Sequence, residues 1–279
     1  MLGGIFGTSV TPVGGAPLKK NALGMVEFNA AATRTGADLP IKYEVLGSDM
    51  QLVSITLPAG EKVISERGGM MMMDPSMRAK VNFDNMFGRC CSGEGCLMDH
   101  YTNHGDAPAT IGLTPNFPAK VIPLHMRGED QYRTKSGAFM ASTGDIRVNF
   151  ELNTFVNCCF SGQGCCNQTI QGEGTAFLAA MGTLMSKTLA EGEVIVVDTE
   201  SVVAWQSTAK LGIRRAGSCI TCCCGGEGLF NSTLTGPGTV YFQSMSYGKF
   251  KRAMTVHVTK HAAAAGAAGG IVGAAVSAA

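Results

Sequence analysis

Charge is scarce in this chain of 279 residues: Asp, Glu, Lys and Arg together make up 15%, against about a quarter in ordinary soluble domains. What charge there is cancels, with 22 basic residues, 21 acidic ones and a formal net charge of +1. Phosphate binding needs clustered Lys and Arg, so the electrostatic footprint of a nucleic-acid protein is missing. The densest basic spot, Lys249-Phe250-Lys251-Arg252, reads as a solvated strand end. Histidine is scarce as well: His100, His104, His125, His257 and His261 are all there is. No His-x-His with a downstream Glu occurs, which excludes the metal triad of a cupin-type oxygenase. His100 and His104 lack the His-Glu-x-x-His context of a helix-borne zinc site and read as a loop pair. There is no Gly-x-Ser-x-Gly nucleophile elbow and no Gly-Lys-Ser/Thr to make a phosphate loop. The N-terminus does not read as a secretory signal, because its first basic residues, Lys19 and Lys20, follow the apolar part rather than precede it. The expectation is a protein that is not an enzyme and has no resident cofactor.

Glycine, by contrast, is abundant, with 37 residues, and it is periodic. Gly60-Glu61 precedes Ser92-Gly93-Glu94-Gly95, Gly128-Glu129 precedes Ser161-Gly162-Gln163-Gly164, and Gly192-Glu193 precedes Gly225-Gly226-Glu227-Gly228. The separations are 32, 33 and 33 residues, and the motifs recur every 64 to 69 residues. Such agreement marks a triplicated unit. A third corner follows in each copy, at Gly105-Asp106-Ala107, Gly172-Glu173-Gly174 and Gly236-Pro237-Gly238, with a two-residue insertion in the first. Glycine suits these places because tight turns often need positive φ. Gln163 stands where the other copies have Glu94 and Glu227, and an amide is neither an acid nor a base. These turn residues are therefore expected to be structural, with the carboxylates hydrogen-bonding across their turns.

Apolar and polar residues alternate in Gln51–Leu57, the mark of a half-buried strand. Lys120–Leu124 and Leu184–Leu189 hold the matching slots, and Pro123 demotes the second of these to an edge. A further strand follows each Gly-Glu turn, ending with Val194–Val197 in the third copy. Next come Met70–Met73, Ala138–Met140 and Val202–Trp205, read as shared core in which Met73 fills the place that Trp205 fills elsewhere. The expected fold is all-β with pseudo-threefold symmetry: fifteen to eighteen short strands whose three units share one core. The expected organisation is a flexible tail over 1–40, a triplicated domain over 41–258 (units 41–115, 116–182 and 183–258) and an Ala/Gly-rich tail over 259–279. That last tail contains Gly269-x-x-x-Gly273, a spacing seen where membrane helices meet. A span, a docked helix and disorder all stay open for it. Lys19, Lys20 and Arg34 against Glu27 and Asp38 give the N-terminus a weak mitochondrial bias. The expected location is the cytoplasm, with the mitochondrion as the alternative.

The chain has eleven cysteines, all in matching places: Cys90, Cys91 and Cys96; Cys158, Cys159, Cys165 and Cys166; Cys219, Cys222, Cys223 and Cys224. Without a secretory signal they read mostly as free thiols. A pseudo-threefold body can bring such positions together at one end, where thiolates would suit Zn, Cu or an iron–sulfur cluster. The spacing is against it. Cys219-x-x-Cys222 has no second such pair, and neighbours such as Cys158-Cys159 point to opposite faces of a strand.

The run from Gly225 through Phe230, followed by Thr235-Gly236-Pro237-Gly238-Thr239-Val240-Tyr241-Phe242-Gln243-Ser244, resembles the signature of the altered-inheritance-of-mitochondria family, member twenty-four. Tyr43-Glu44-Val45 through Gly60-Glu61 to Met70-Met71, and Gly192-Glu193 through Ala204-Trp205, are similar to it too, so the likeness covers about 41–250. It implies a β-sandwich-like or double-stranded β-helix-like fold in the superfamily of tryptophan RNA-binding attenuators. It also implies a link to mitochondrial inner-membrane organisation, and it brings no catalytic residues. The cysteine clusters depart from the family pattern, which has mostly Arg, Leu or Phe before the Gly motif. RNA binding is not inherited with a fold. The reading is a scaffold that engages protein partners, copies of itself or a membrane-associated assembly. A cysteine-cluster metal or thiol redox protein is the alternative.

Overall fold

The computed structural model describes residues 20–22, 24–27, 35–36, 39–82, 98–152, 166–215 and 230–255. Those residues hold seventeen strands, a 3-10 turn over Thr199–Ser201 and a helix over 247–255. The alternating pattern carries through to burial. In β2 (Lys42–Leu46) and β3 (Leu52–Leu57) every second side chain is buried, so one apolar face of each strand turns inward.

After β1 (Val26–Glu27) and β2, six strands follow one another: β3, β4 (Lys62–Glu66), β5 (Met70–Met73), β6 (Met77–Asn82), β7 (Met98–Asn103) and β8 (Ala109–Leu113). β8 lies between β3 and β5, while β7 lies between β4 and β6. The middle stretch has β9 (Lys120–Met126), β10 (Gln131–Thr134), β11 (Phe139–Leu152) and β12 (Cys166–Leu189). Here residues 174–180 of β12 lie between β9 and the start of β11, and residues 168–171 lie between β10 and the end of β11. The last stretch uses the end of β12 and then β13 (Val194–Val197), β14 (Val202–Gln206), β15 (Lys210–Arg215), β16 (Phe230–Thr235) and β17 (Gly238–Met245). β17 lies between β12 and β14, and β16 between β13 and β15. In all three stretches the last strand sits between the first and third, and the fifth between the second and fourth. A register shift recurs at the same point of the third strand, between Met70 and Met72, Phe139 and Ala141, and Val202 and Ala204.

The strands are not all short. β11 has 14 residues and β12 has 24, because the middle stretch turns its corners without breaking the strand. The first stretch breaks at Asp74-Pro75-Ser76, whereas β11 runs on through Gly144, paired with Gly174. Gly144, Gly172 and Gly174 have φ of +79°, +117° and +146°, and a Cβ on Gly172 would lie 2.0 Å from the Asp145 carbonyl oxygen. Glycine lets the two backbones bend together there. β12 also crosses the expected unit border at Gly182 (φ +73°), where its partner changes from β9 to β17.

The expectation of one shared core gives way to three clusters of buried residues. One is built on Val53, Ile55, Leu57, Ile111 and Leu113, one on Ile122, Leu124, Ile170 and Leu178, and one on Leu189, Trp205, Leu234 and Val240. Each cluster gathers mainly the side chains of one stretch, and some cross the borders: Phe177 packs in the first cluster, Val203 and Tyr241 in the second. The segment read as an N-terminal tail is partly paired, since Val26 and Glu27 lie opposite Ser186 and Met185 on β12. The basic spot Lys249–Arg252 lies on the helix, not at a strand end.

Neighbouring stretches are stitched by two further pairings of one kind. The second strand of one stretch pairs antiparallel with the third strand of the next: β4 with β11 (Val63 opposite Thr143, Ser65 opposite Ala141) and β10 with β14 (Tyr132 opposite Gln206, Thr134 opposite Ala204). These two junctions join most strands into a ten-stranded sheet. A third junction of that kind would join β13 to β5. It is absent: β5 ends a four-stranded sheet and β13 a three-stranded one.

Candidate functional site

The first and third Gly-Glu motifs close equivalent turns. Glu61 N–H donates to the Pro58 carbonyl and Glu193 N–H to the Ala190 carbonyl, with Gly60 at φ +79° and Gly192 at φ +74° in the third position. Each turn is clasped by the opposite corner through the same two backbone bonds. Gly60 N–H donates to Asn103 O and Asn103 N–H to Glu61 O; Gly192 N–H donates to Gly236 O and Gly236 N–H to Glu193 O. The middle turn is shifted by one residue. Asp130 N–H donates to Arg127 O, which puts Gly128 second, Glu129 third and Asp130 in the place of Glu61 and Glu193. The carboxylates follow that register. Glu193 accepts from Ala190 N–H and pairs with Lys187 at 2.8 Å, while Asp130, not Glu129, accepts from Arg127 N–H. Those bonds hold the Glu193 carboxyl below the ordinary range, the Lys187 contact first. The first turn has Pro58 in that place, which has no N–H to give. Gly238, at the last corner, has φ +147°.

The second set of turn motifs (Gly93, Glu94, Gly95; Gly162, Gln163, Gly164; Gly226, Glu227, Gly228) lies outside the described residues. So do all the cysteines except Cys166, the first residue of β12. They fall in the connections between the fourth and fifth strands of each stretch. Among the described residues no three His, Cys, Asp or Glu side chains are grouped to hold a metal ion. His100 lies on β7 rather than in a loop, 3.2 Å from the Asn82 side chain.

A cavity of about 260 Å³ lies beneath the helix, lined among others by Phe117, Lys135, Glu200, Gln243 and Tyr247. Its charges hold the helix down. Ser246 Oγ donates to Glu200 and accepts from Lys249 N–H, the arrangement of an N-cap. Arg252 grips both oxygens of Glu200 at 3.0 Å, and Lys249 pairs with Asp198. Burial raises the Asp198 and Glu200 carboxyls, but their cationic and hydrogen-bonding partners outweigh it and leave both below the usual range. Burial lowers the Lys135 ammonium, with Glu200 and Asp198 opposing it. A second polar chain runs from Tyr43 Oη to His125 Nε2 (3.0 Å) and from His125 Nδ1 to Thr175 Oγ1 (3.1 Å).

The feature that these contacts leave unexplained is β5. Met70 to Met73 are all exposed, Met71 and Met72 at 58% each, although their register partners Phe139–Ser142 and Val202–Trp205 are buried. The expectation that this run is core therefore fails, and the difference lies at the junction: in the other two stretches the second strand of a neighbouring stretch pairs with the third strand, and among the described residues no strand pairs with the open edge of β5. β13 is its counterpart. Val194 and Val196 are 55% and 45% exposed, and on its other face Ile195 and Val197 are only half-buried where their matches Val63, Ser65, Tyr132 and Thr134 are buried. Val194–Val197 was legible as a strand, and its lack of alternation was the available sign that both faces are apolar.

A family model described as mitochondrial biogenesis AIM24 matches residues 43–245. An uncharacterised protein of Streptococcus pyogenes serotype M6 is 29% identical over 211 residues, covering 71% of this chain and 83% of its own length. Altered inheritance of mitochondria protein 24, mitochondrial, of Verticillium alfalfae is 25% identical over 169 residues, and the match spans 59% of this chain and 43% of the fungal one. A crystal structure of a Streptococcus pyogenes protein shares the fold with a TM-score of 0.64 at 24% identity, over 78% of this chain and 99% of that one. The family match takes in every strand from β3 to β17, and the chain belongs to the mitochondrial biogenesis AIM24 family.

Proposed function

We propose that this chain is a non-enzymatic scaffold: a pseudo-threefold β body that presents open strand edges to protein partners and supports a membrane-associated assembly of mitochondrial type. The observation that carries this reading is the pair of exposed apolar strands β5 and β13. Exposed apolar edges are normally blunted by charge, proline or a covering element, and patches left bare tend to be interaction sites. The charges beside the cavity beneath the helix support the reading too, because Lys249 pairs with Asp198 and Arg252 with Glu200, and these pairs anchor the helix. The family description and the printed name of the fungal relative support the mitochondrial setting. The streptococcal relative comes from a cell without that organelle, so the molecular role we propose is one of assembly that different cells use in different places.

The test is fractionation followed by native electrophoresis of the tagged chain. We expect it in the mitochondrial fraction, in an assembly larger than its own 29.0 kDa, with lysines on β5 or β13 shrinking that assembly. A chain that migrates alone in every fraction would overturn the scaffold reading. Elemental analysis of anaerobically purified protein addresses the cysteine alternative, since stoichiometric metal with protected thiols would favour a metal protein.

A further inference from the structure

We infer that β13 of one copy adds to β5 of another, so that the chain associates head to tail through the junction it leaves open. The inference rests on the scaffold reading and names the partner: a second copy of this chain. The argument is one of repetition. Twice within the chain, the second strand of one stretch adds antiparallel to the third strand of the next. The only strands of those two kinds left over among the described residues are β13, which pairs with β16 alone, and β5, which pairs with β8 alone. A chain that makes the same contact twice and ends with one unused half at each side carries both halves of a third contact.

Register makes the proposal specific. Counting from the turns, Val63 and Tyr132 match Ile195, and Ser65 and Thr134 match Val197. Counting from the shared register shift, Ala141 and Ala204 match Met72, Ser142 and Trp205 match Met73, and Thr143 and Gln206 match Asp74. The junction between copies therefore sets Ile195 opposite Asp74, Val196 opposite Met73 and Val197 opposite Met72. It is shorter at one end than the internal pair. Ser207 N–H donates to Gln131 O, and its match is Pro75, which has no N–H. The chemistry of both edges agrees. β5 offers four methionines, which adapt to an uneven partner surface, and β13 offers a β-branched run that favours strand pairing. A contact made of two different patches is heterologous, and it propagates to a ring or a filament according to its rotation.

The test is sedimentation equilibrium on the full chain and two double variants, Met71→Lys/Met73→Lys and Val194→Lys/Val196→Lys. All four positions are solvent-exposed, so both variants are expected to keep the wild-type melting curve. The wild type should gain mass with concentration above 29.0 kDa, and each variant alone should stay at the monomer mass. A one-to-one mixture of the two variants keeps one good edge on each partner, so it should form a species of twice the monomer mass and nothing larger. A monomeric wild type at all concentrations overturns the inference, and includes the case in which the two edges close within one chain. Undiminished association of the variants, or a mixture that stays monomeric, overturns it as well. A monomeric wild type that still enters a large assembly in cells would leave the scaffold reading standing, whereas loss of both would remove the two together.

Discussion

The glycines of the three Gly-Glu motifs look interchangeable in sequence and should not behave alike. Gly60 and Gly192 have positive φ and nothing within 4 Å of a built Cβ, while Gly128 has the same open space at a φ outside the left-handed region. Alanine in the left-handed region costs about 1–2 kcal/mol, offset by about 0.4–1 kcal/mol from the stiffer unfolded chain. Gly60→Ala and Gly192→Ala should therefore lose about 1 kcal/mol net, and Gly128→Ala should be neutral or slightly stabilising. Gly172→Ala is the other extreme. Its φ is +117° and its Cβ would sit 2.0 Å from the Asp145 carbonyl oxygen, so β11 and β12 must separate at about 3 kcal/mol or more. In a body of this size 1 kcal/mol moves the melting temperature by about 2–4 °C. Circular dichroism melts should place Gly128→Ala at or just above wild type, Gly60→Ala about 2–4 °C below, and Gly172→Ala roughly 6–12 °C below. If Gly128→Ala falls as far as Gly60→Ala, backbone handedness is not what separates these turns, and the one-residue shift of the middle turn is wrong.

Three further outcomes are expected. Asn103 is fully buried and donates to the Leu57 and Ala107 carbonyls while accepting from Gly105 N–H, so Asn103→Ala should cost about 2–4 kcal/mol, read from urea melts followed by Trp205 fluorescence. Burial lowers the His125 pKa below its ordinary 6.5. The unfolded chain then binds the extra proton more readily, so stability is full above pH 6.5 and falls as pH drops below it. The drop in melting temperature from pH 7.5 to 5.5 should be smaller in His125→Gln, and an unchanged slope would remove His125 from the account. Asp198 and Glu200 titrate below their ordinary values of 3.8 and 4.5, so the helix clamp holds above that range and loosens as pH falls through it. Glu200→Gln should raise hydrogen exchange over 247–255 at neutral pH while leaving exchange in β16 and β17 unchanged.

Much of this fold was legible because strand alternation and turn glycines are local signals. Gln51–Leu57 alternates, and β3 buries every second side chain. Register between copies was harder. Gly128 matches Gly60 in sequence, yet a strand turn counts residues from its closing hydrogen bond, and that bond runs from Asp130 to Arg127. The corners of the middle stretch were visible as glycines, but whether a corner breaks a strand or bends it depends on the partner backbone, as at the Gly144–Gly174 pair. Lys135 and Glu200 gave no sign in sequence: Lys135 N–H donates to the Val203 carbonyl, a long-range contact beside the acid, and the groups that grip Glu200 arrive on a helix more than forty positions downstream of it.

The methionine run carries the sharpest version of that lesson. Its place in the repeat was readable: Met73 and Trp205 occupy matching positions, and the shared register shift agrees with that. Its environment was not readable, because burial belongs to the junction and not to the strand. Trp205 is buried on β14, with which β10 pairs, and Met73 is exposed on β5, which has no such neighbour among the described residues. A repeat with n copies in an open chain makes n − 1 internal junctions, so one copy must differ at each end whatever its sequence. Selection can answer with a polar end, as terminal repeats do in solenoids, or keep the end apolar for a partner. On the scaffold reading proposed above, four methionines on one edge and Val-Ile-Val-Val on the other are the second answer, and that choice of residue types is the signal on which the reading rests.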